Sequence, residues 1–176
     1  MRDYLNLRVK HREVFRPFAP VVLEENNKEY FDLKQSSPFM LLVAKSFKPS
    51  LIPSAIHVDK TARVQTINPD QNQDLYNLIK NFYSLTNVPV ILNTSFNDAG
   101  EPIVETPLDA LICFFQTKLD YLILNDVIID RKENQHLKLE ILKKYREDNI
   151  KKYENLAKQK LLIKVNKSEF IRKKKY

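Results

Sequence analysis

Val88-Pro89-Val90-Ile91-Leu92-Asn93-Thr94-Ser95-Phe96-Asn97-Asp98-Ala99-Gly100 is a short apolar run that stops abruptly at a polar loop. The run has strand length and carries β-branched residues, so a buried strand is predicted over Val88–Asn93. A polar loop at the carboxyl end of a buried strand is where an α/β sheet places its chemistry. Ser95 and Asn97 also have a plainer reading, because Ser and Asn satisfy loop backbone as a matter of course and Gly100 can finish such a turn.

Working outward, Thr106, Pro107 and Asp109 form a helix start (N-cap, N1, N3), followed by an apolar face of Ala110, Leu111, Phe114 and Phe115. Tyr121-Leu122-Ile123-Leu124 and Val127-Ile128-Ile129 flank Asn125-Asp126, a hairpin signature. Upstream, Leu75, Leu78, Ile79, Phe82 and Leu85 recur at helical spacing and predict an amphipathic helix of about four turns. His57-Val58-Asp59 and Arg63-Val64-Gln65-Thr66-Ile67 read as two short strands or one bent one, and Pro38 through Ala44 as a buried strand. Phe15-Arg16-Pro17-Phe18-Ala19-Pro20 runs into Val21-Val22-Leu23, where two prolines forbid a helix and favour extended backbone. Strands alternating with helices make this an α/β chain.

Charge divides the sequence. The 176 residues hold 29 Lys or Arg and 22 Asp or Glu, a net +7, but residues 1–130 carry −3 and residues 131–176 carry +10. A body over 1–130 and a basic helical extension over 131–176 are therefore expected, with a long helix from about 133 to 162. A basic Lys/Leu helix reads first as a solvated or docking helix; its aromatic residues are too sparse for base stacking, so nucleic acid is not the favoured partner. Glycine occurs once, at Gly100. That excludes a Walker A loop and a dinucleotide fingerprint, both of which need several glycines, so any phosphates must be held mostly by side chains. One cysteine, Cys113, allows neither an internal disulfide nor a thiolate zinc site, and on an apolar helix face it reads as a buried inert thiol. No apolar run approaches about 18 residues, so a cytoplasmic chain without membrane contact is expected.

Three segments set polar or cationic side chains between apolar anchors: Lys10-His11-Arg12 with Arg16, His57 through Arg63, and Asn93 through Asn97. If Lys10 and Arg12 lie on a strand they share a face about 7 Å apart, and repel unless an anion lies near them. Arg63 also has a structural alternative, an ion pair with Asp59 or Glu13. His57 reads either as a hydrogen-bonded structural residue or as a base.

Together these segments resemble the C-terminal domain of the carbamoyltransferases that decorate antibiotics and nodulation factors. The matching text is K-H-R-E-V-F-R-P-F-A-P, I-P-S-A-I-H-V-D-K-T-A-R-V-Q-T-I, V-P-V-I-L-N-T-S-F-N-D-A-G-E-P-I-V and T-P-L-D-A-L, in order over roughly residues 5–125. The resemblance implies a YrdC-like twisted sheet with flanking helices, similar to the threonylcarbamoyl-adenylate synthases. Their K-x-R and S-x-N signatures look like Lys10-His11-Arg12 and Ser95-Phe96-Asn97. It further implies a cationic cavity in which carbamoyl phosphate is cleaved to carbamate, which attacks the α-phosphate of ATP, with Mg²⁺ on the nucleotide, to give carbamoyl-adenylate. Lys10, Arg12, Ser95 and Asn97 are then the expected catalytic positions, and Arg16, Arg63, Asn93, Thr94 and His57 the substrate-binding ones. No resident metal site is expected. In that family a separate iron-containing Kae1-like domain transfers the carbamoyl group to a hydroxyl. This sequence departs from the family at Lys60 and Asn87, where glycine is common. The competing function is a non-catalytic module binding a nucleotide or RNA, or a split-off structural fragment.

Overall fold

A computed structural model describes residues 1–135, 139–152 and 155. Contacts divide the chain into two compact units, one from Met1 to Glu101 and one from Pro102 onward.

The first unit is a four-stranded mixed sheet of order β2-β3-β1-β4, formed by β1 (Ala19–Leu23), β2 (Leu42–Lys45), β3 (Thr61–Ile67) and β4 (Val90–Asn93). The central strand β1 runs parallel to β3, with Val21 opposite Gln65, and antiparallel to β4, with Val21 opposite Ile91. All five β1 residues are buried, as an Ala-Pro-Val-Val-Leu run with both faces covered should be. On one face Val22, Ala62, Val64 and Val90 pack with Tyr30, Phe31, Ile52 and Ile56. On the other, Val21, Leu23 and Ile67 pack against Ile79 of the helix Gln73–Thr86.

The helices α1 (Arg2–Arg8), α2 (Asn27–Tyr30), α3 (Gln73–Thr86) and α4 (Pro107–Gln116) follow in chain order. Helix α3 begins at Asn72, whose side chain accepts from Leu75 N, and ends at Asn87 in the left-handed conformation (φ 59°). The other glycine departure, Lys60, also lies at positive φ (66°). Both are positions where glycine would carry no Cβ penalty, a backbone reason for the glycine that the resemblance leads one to expect there.

Four sequence expectations are corrected. Residues 38–44 do not form a buried strand: 38–40 turn, with Met40 at φ 55°, and β2 is an edge strand in which only Ala44 is buried. Pro38 opens the turn, in which Phe39 is exposed; Leu41 precedes the strand and is exposed too, and Val43 is exposed on an edge strand with one neighbour. His57-Val58-Asp59 is a turn, because Asp59 Oδ1 accepts from both Thr61 N (3.0 Å) and Thr61 Oγ1 (2.7 Å) and Lys60 N returns to His57 O (3.0 Å). The α3 stripe divides: Leu75, Tyr76, Ile79 and Tyr83 meet the sheet, while Leu78, Phe82 and Leu85 face outward. Lys10 and Arg12 lie in a loop after α1, not on a strand.

In the second unit α4 starts with the expected capping box, Thr106 Oγ1 accepting from Asp109 N while Asp109 accepts from Thr106 N. Cys113 is buried in this helix. The strands β5 (Tyr121–Leu124) and β6 (Val127–Asp130) form the predicted hairpin about Asn125-Asp126, with Asn125 at φ 51°. Arg131 lies over the Phe114 ring and donates to the carbonyls of Phe114 and Thr117, so its cation serves the C-terminus of α4. Of the long helix expected over 133–162, residues 139–152 are helical, and Arg146 reaches Asp109 at 3.7 Å. Residues 136–138, 153–154 and 156–162 of that expectation lie outside the described residues. Among the described residues no helix is long and apolar enough to cross a membrane.

Candidate functional site

The loop from Lys10 to Arg16 owes its shape to a residue that pattern reading passes over. Asn6, on α1, is fully buried and uses its whole amide: Nδ2 donates to the carbonyls of Val14 (3.1 Å) and Arg16 (2.8 Å), and Oδ1 accepts from Arg12 Nε (2.8 Å). Arg12 N also reaches back to Asn6 O at 2.9 Å. A seven-residue helix thus organises the cationic loop that follows it. The lone signal in the sequence was a polar residue between Leu5 and Leu7, too slight to read as a hub.

Lys10 crosses from this loop to the loop after β4. Its ammonium lies 2.6 Å from Asn97 Oδ1, 2.7 Å from Asn97 O, 2.9 Å from Ser95 O and 3.3 Å from Ser95 Oγ. Ser95 Oγ in turn donates to Asn97 Oδ1 (2.6 Å), and Asn97 Nδ2 to Glu101 O (2.7 Å). Lys10 is only 6% exposed, a burial an ammonium tolerates only when its protons are taken up, as they are here. The K-x-R and S-x-N segments, 85 residues apart in sequence, are therefore bonded to one another.

Around this clamp is an open cavity of about 440 Å³ lined by Lys10, Arg12, Arg16, Ser95, Asn97 and Asp98, with His11, Glu13, Ala99 and Gly100 completing the wall. Arg12 stacks on the Phe18 ring, 4.6 Å from its centroid. Burial, with the neighbouring Arg16 charge, pulls the Arg12 guanidinium below its ordinary range; Glu13 opposes the shift. Arg16 pairs with Glu13 at 2.9 Å in an exposed contact, which ties down little energy and leaves the guanidinium available. Gly100, at φ 76°, turns the loop with open space where a Cβ would stand.

The remaining expected residues lie outside that lining. Asn93 Nδ2 donates to Gln65 Oε1 at 2.7 Å, and Arg63, two residues before Gln65 on β3, shares its face of the sheet. Arg63 is exposed, while its suggested partners are engaged elsewhere, Asp59 with Thr61 and Glu13 with Arg16. Thr94 is exposed, and His57 Nδ1 lies 3.3 Å from Thr61 Oγ1 within its turn. Gln65 and Asp98 were not singled out in the sequence, having no distinctive spacing of their own.

Comparison with known proteins matches the family described as "Carbamoyltransferase C-terminus" over residues 1–131. An uncharacterized protein of Synechocystis is 42% identical over 151 residues, covering 73% of this chain and 25% of that protein. Nodulation protein NolNO of Sinorhizobium fredii is 43% identical over 136 residues, covering 74% of this chain and 20% of that protein. Nodulation protein U of Rhizobium tropici is 38% identical over 103 residues, 57% of this chain and 18% of that protein. The chain thus spans about a fifth to a quarter of the length of these relatives. With the family matched across most of its residues, the chain belongs to the carbamoyltransferase C-terminal family.

Proposed function

We propose that this chain is a carbamoyl-adenylate-forming module of YrdC-like topology, using carbamoyl phosphate and ATP and passing the product to a separate Kae1-like transferase domain in the cytoplasm. The observation that carries the reading is the Lys10 clamp, which draws the Ser95–Asn97 loop against Arg12 and Arg16 around one cavity. Phosphoryl transfer needs fixed cations and donors where negative charge develops, and without glycine phosphate loops those must be side chains. In this scheme Arg12 and Arg16 offer planar forks to phosphate oxygens, and Ser95 and Asn97 orient the carbamoyl group. Lys10 acts by holding the loop that presents them. Arg63, with Asn93, Thr94 and His57, forms the outer part of the nucleotide site.

Magnesium enters this reading on the nucleotide. Such a metal takes most of its ligands from phosphates and water and asks only one or two carboxylates of the protein, and Asp98 and Glu13 stand at the cavity wall. Among the described residues no cluster of three His, Cys, Asp or Glu offers a dedicated cage. When bound, the ion neutralises phosphate charge at the reacting centre.

Calorimetric titration with ATP·Mg²⁺ and with carbamoyl phosphate tests the reading. Saturable binding of both, weakened by about 1.5–3 kcal/mol in Arg12→Ala, is expected for loss of a charge-assisted hydrogen bond. Parent and Arg12→Ala behaving alike would make the cations ordinary surface charges, and no binding by the parent would favour a structural fragment.

A further inference from the structure

Leu23 and Ile67 stand opposite one another where the parallel strands β1 and β3 end, and each is followed by a polar residue, Glu24 and Asn68. Asn68 Nδ2 donates to Glu24 Oε2 at 2.9 Å, and Ser36 Oγ donates to the same oxygen at 3.3 Å. The carboxyl end of a parallel pair is where an open α/β sheet leaves a crevice for a ligand. A cavity of about 280 Å³ opens here, with Glu24, Glu25, Asn27, Lys28 and Lys34 in its wall. It is separate from the cavity of the Lys10 clamp. The Ser95 loop follows β4, whose Asn93 stands opposite Ala19 at the far end of β1, about 13 Å along the strand.

Asn27 shows what this cavity lacks. The residue is only 5% exposed, and its Nδ2 donates to Leu33 O at 2.9 Å, which fixes the orientation of the amide. Its Oδ1 is buried and has no hydrogen-bond partner among the described residues. A buried acceptor without a donor costs stability, so an N–H supplied by a ligand is its natural complement. The two carboxylates add further acceptors, because the contacts of Glu24 fall on Oε2 and the Tyr76 hydroxyl occupies only Oε1 of Glu25, at 2.7 Å. Lys28 and Lys34 share the wall, yet among the described residues none of these four charged groups is ion-paired. Two anions and two cations that share a cavity without closing on each other leave separate places for a positive and a negative group. The volume lies at the lower limit for a ligand cavity and suits a small metabolite rather than a nucleotide.

We propose that this cavity binds a small zwitterion of the free amino acid class, its ammonium donating to Asn27 Oδ1, Glu24 and Glu25 and its carboxylate lying against Lys28 and Lys34. An ammonium has three protons for these three acceptors. A lone amine leaves the lysines unmatched, and a lone carboxylate leaves the Asn27 oxygen without a donor. The site is independent of the function proposed for the Lys10 cavity and stands whether or not that function holds.

The test titrates the protein with each of the standard amino acids by calorimetry, with methylammonium and acetate as the two half-ligands, and follows the Asn27 side-chain amide by NMR. At least one amino acid is expected to bind saturably and to shift the Asn27 amide, while the backbone amides of residues 10–16 keep their positions. Glu25→Gln retains an oxygen for the Tyr76 hydroxyl, and Lys34→Met alters an exposed side chain, so both should fold as the parent does. Each is expected to weaken binding about tenfold or more, as loss of a charge-assisted contact should. Asn27→Ala should abolish binding, and if that variant fails to fold the other two still decide. No saturable binding by any amino acid, undiminished binding in Glu25→Gln or Lys34→Met, or a shift confined to residues 10–16 overturns the inference. Methylammonium or acetate binding as tightly as the amino acid overturns it too, since either result removes the need for a zwitterion.

Discussion

Replacing Lys10 by Met keeps the apolar stem and removes the ammonium from four oxygens that converge on it. Three protons cannot satisfy four acceptors at once, so the three shorter contacts, 2.6, 2.7 and 2.9 Å, carry the clamp and Ser95 Oγ at 3.3 Å is secondary. At about 1.5–3 kcal/mol for each bond to a charged group, the gross attraction is roughly 4–9 kcal/mol. Desolvating the ammonium consumes several kcal/mol of that, and the freed oxygens of the exposed Ser95 regain water. A net loss of about 2–3 kcal/mol remains, concentrated in the loop because the sheet core is untouched. Hydrogen exchange at the Ala99 and Glu101 amides, both bonded to Asp98, reads it directly. About 2 kcal/mol corresponds to roughly thirtyfold faster opening, and ATP or carbamoyl phosphate affinity should fall with it. Lys10→Arg should fail to restore either property, since a planar fork cannot reproduce a compact donor among these oxygens. Unchanged exchange at both amides together with unchanged affinity in Lys10→Met would refute the clamp as the organiser of the site.

Ile79 is fully buried between α3 and the sheet, so Ile79→Ala should cost about 2–5 kcal/mol in chemical denaturation. Thr106→Ala removes the oxygen that caps α4 and should cost about 1 kcal/mol by the same measurement. The Thr61 hydroxyl and amide hold the Asp59 carboxyl below the ordinary carboxylate range. The sign follows: a carboxyl depressed in the folded state contributes stability above its unfolded pKa and loses it as pH falls through the folded value. The 57–61 turn should therefore loosen only in acid below the usual carboxylate range, and Thr61→Val should move the Asp59 NMR titration upward toward that range. Deleting residues 131–176, which include the Arg131 cation bonded at the end of α4, tests the proposed division of the chain. A body that is independent over 1–130 should keep a cooperative thermal transition with a modest shift.

What was legible in the sequence followed from local chemistry. The N-cap, N1 and N3 set at Thr106, Pro107 and Asp109 specifies a helix start without tertiary help, and Asn125-Asp126 specifies a tight hairpin. The β-branched run before Asn93 signals a strand, and Val90–Asn93 is one, though its pairing with Ala19–Leu23 leaves no local mark in the sequence. Reading failed where burial depends on neighbours in space. Phe39, Leu41 and Val43 look like core residues, yet Phe39 and Leu41 fall in the turn and approach before β2, and Val43 stands on a strand at the edge of the sheet. Leu78, Phe82 and Leu85 share helical spacing with the buried stripe but stand a third of a turn away from it. At the site, the motif residues Lys10, Arg12, Ser95 and Asn97 were visible from the resemblance, and Arg16 from its place among the cations. Asn6, which shapes the loop, and the His11–Asp98 pair were not, because a single buried amide and a pair 87 residues apart leave no periodic trace.

In the proposed function the clamped cavity forms carbamoyl-adenylate. Incubating the chain with ATP, Mg²⁺ and carbamoyl phosphate and measuring pyrophosphate tests it most directly. Pyrophosphate should form in dependence on both substrates, at least as a single turnover, and should collapse in Ser95→Ala and Lys10→Ala. Pyrophosphate formed equally well by those variants, or no nucleotide binding by the parent under these conditions, would contradict it.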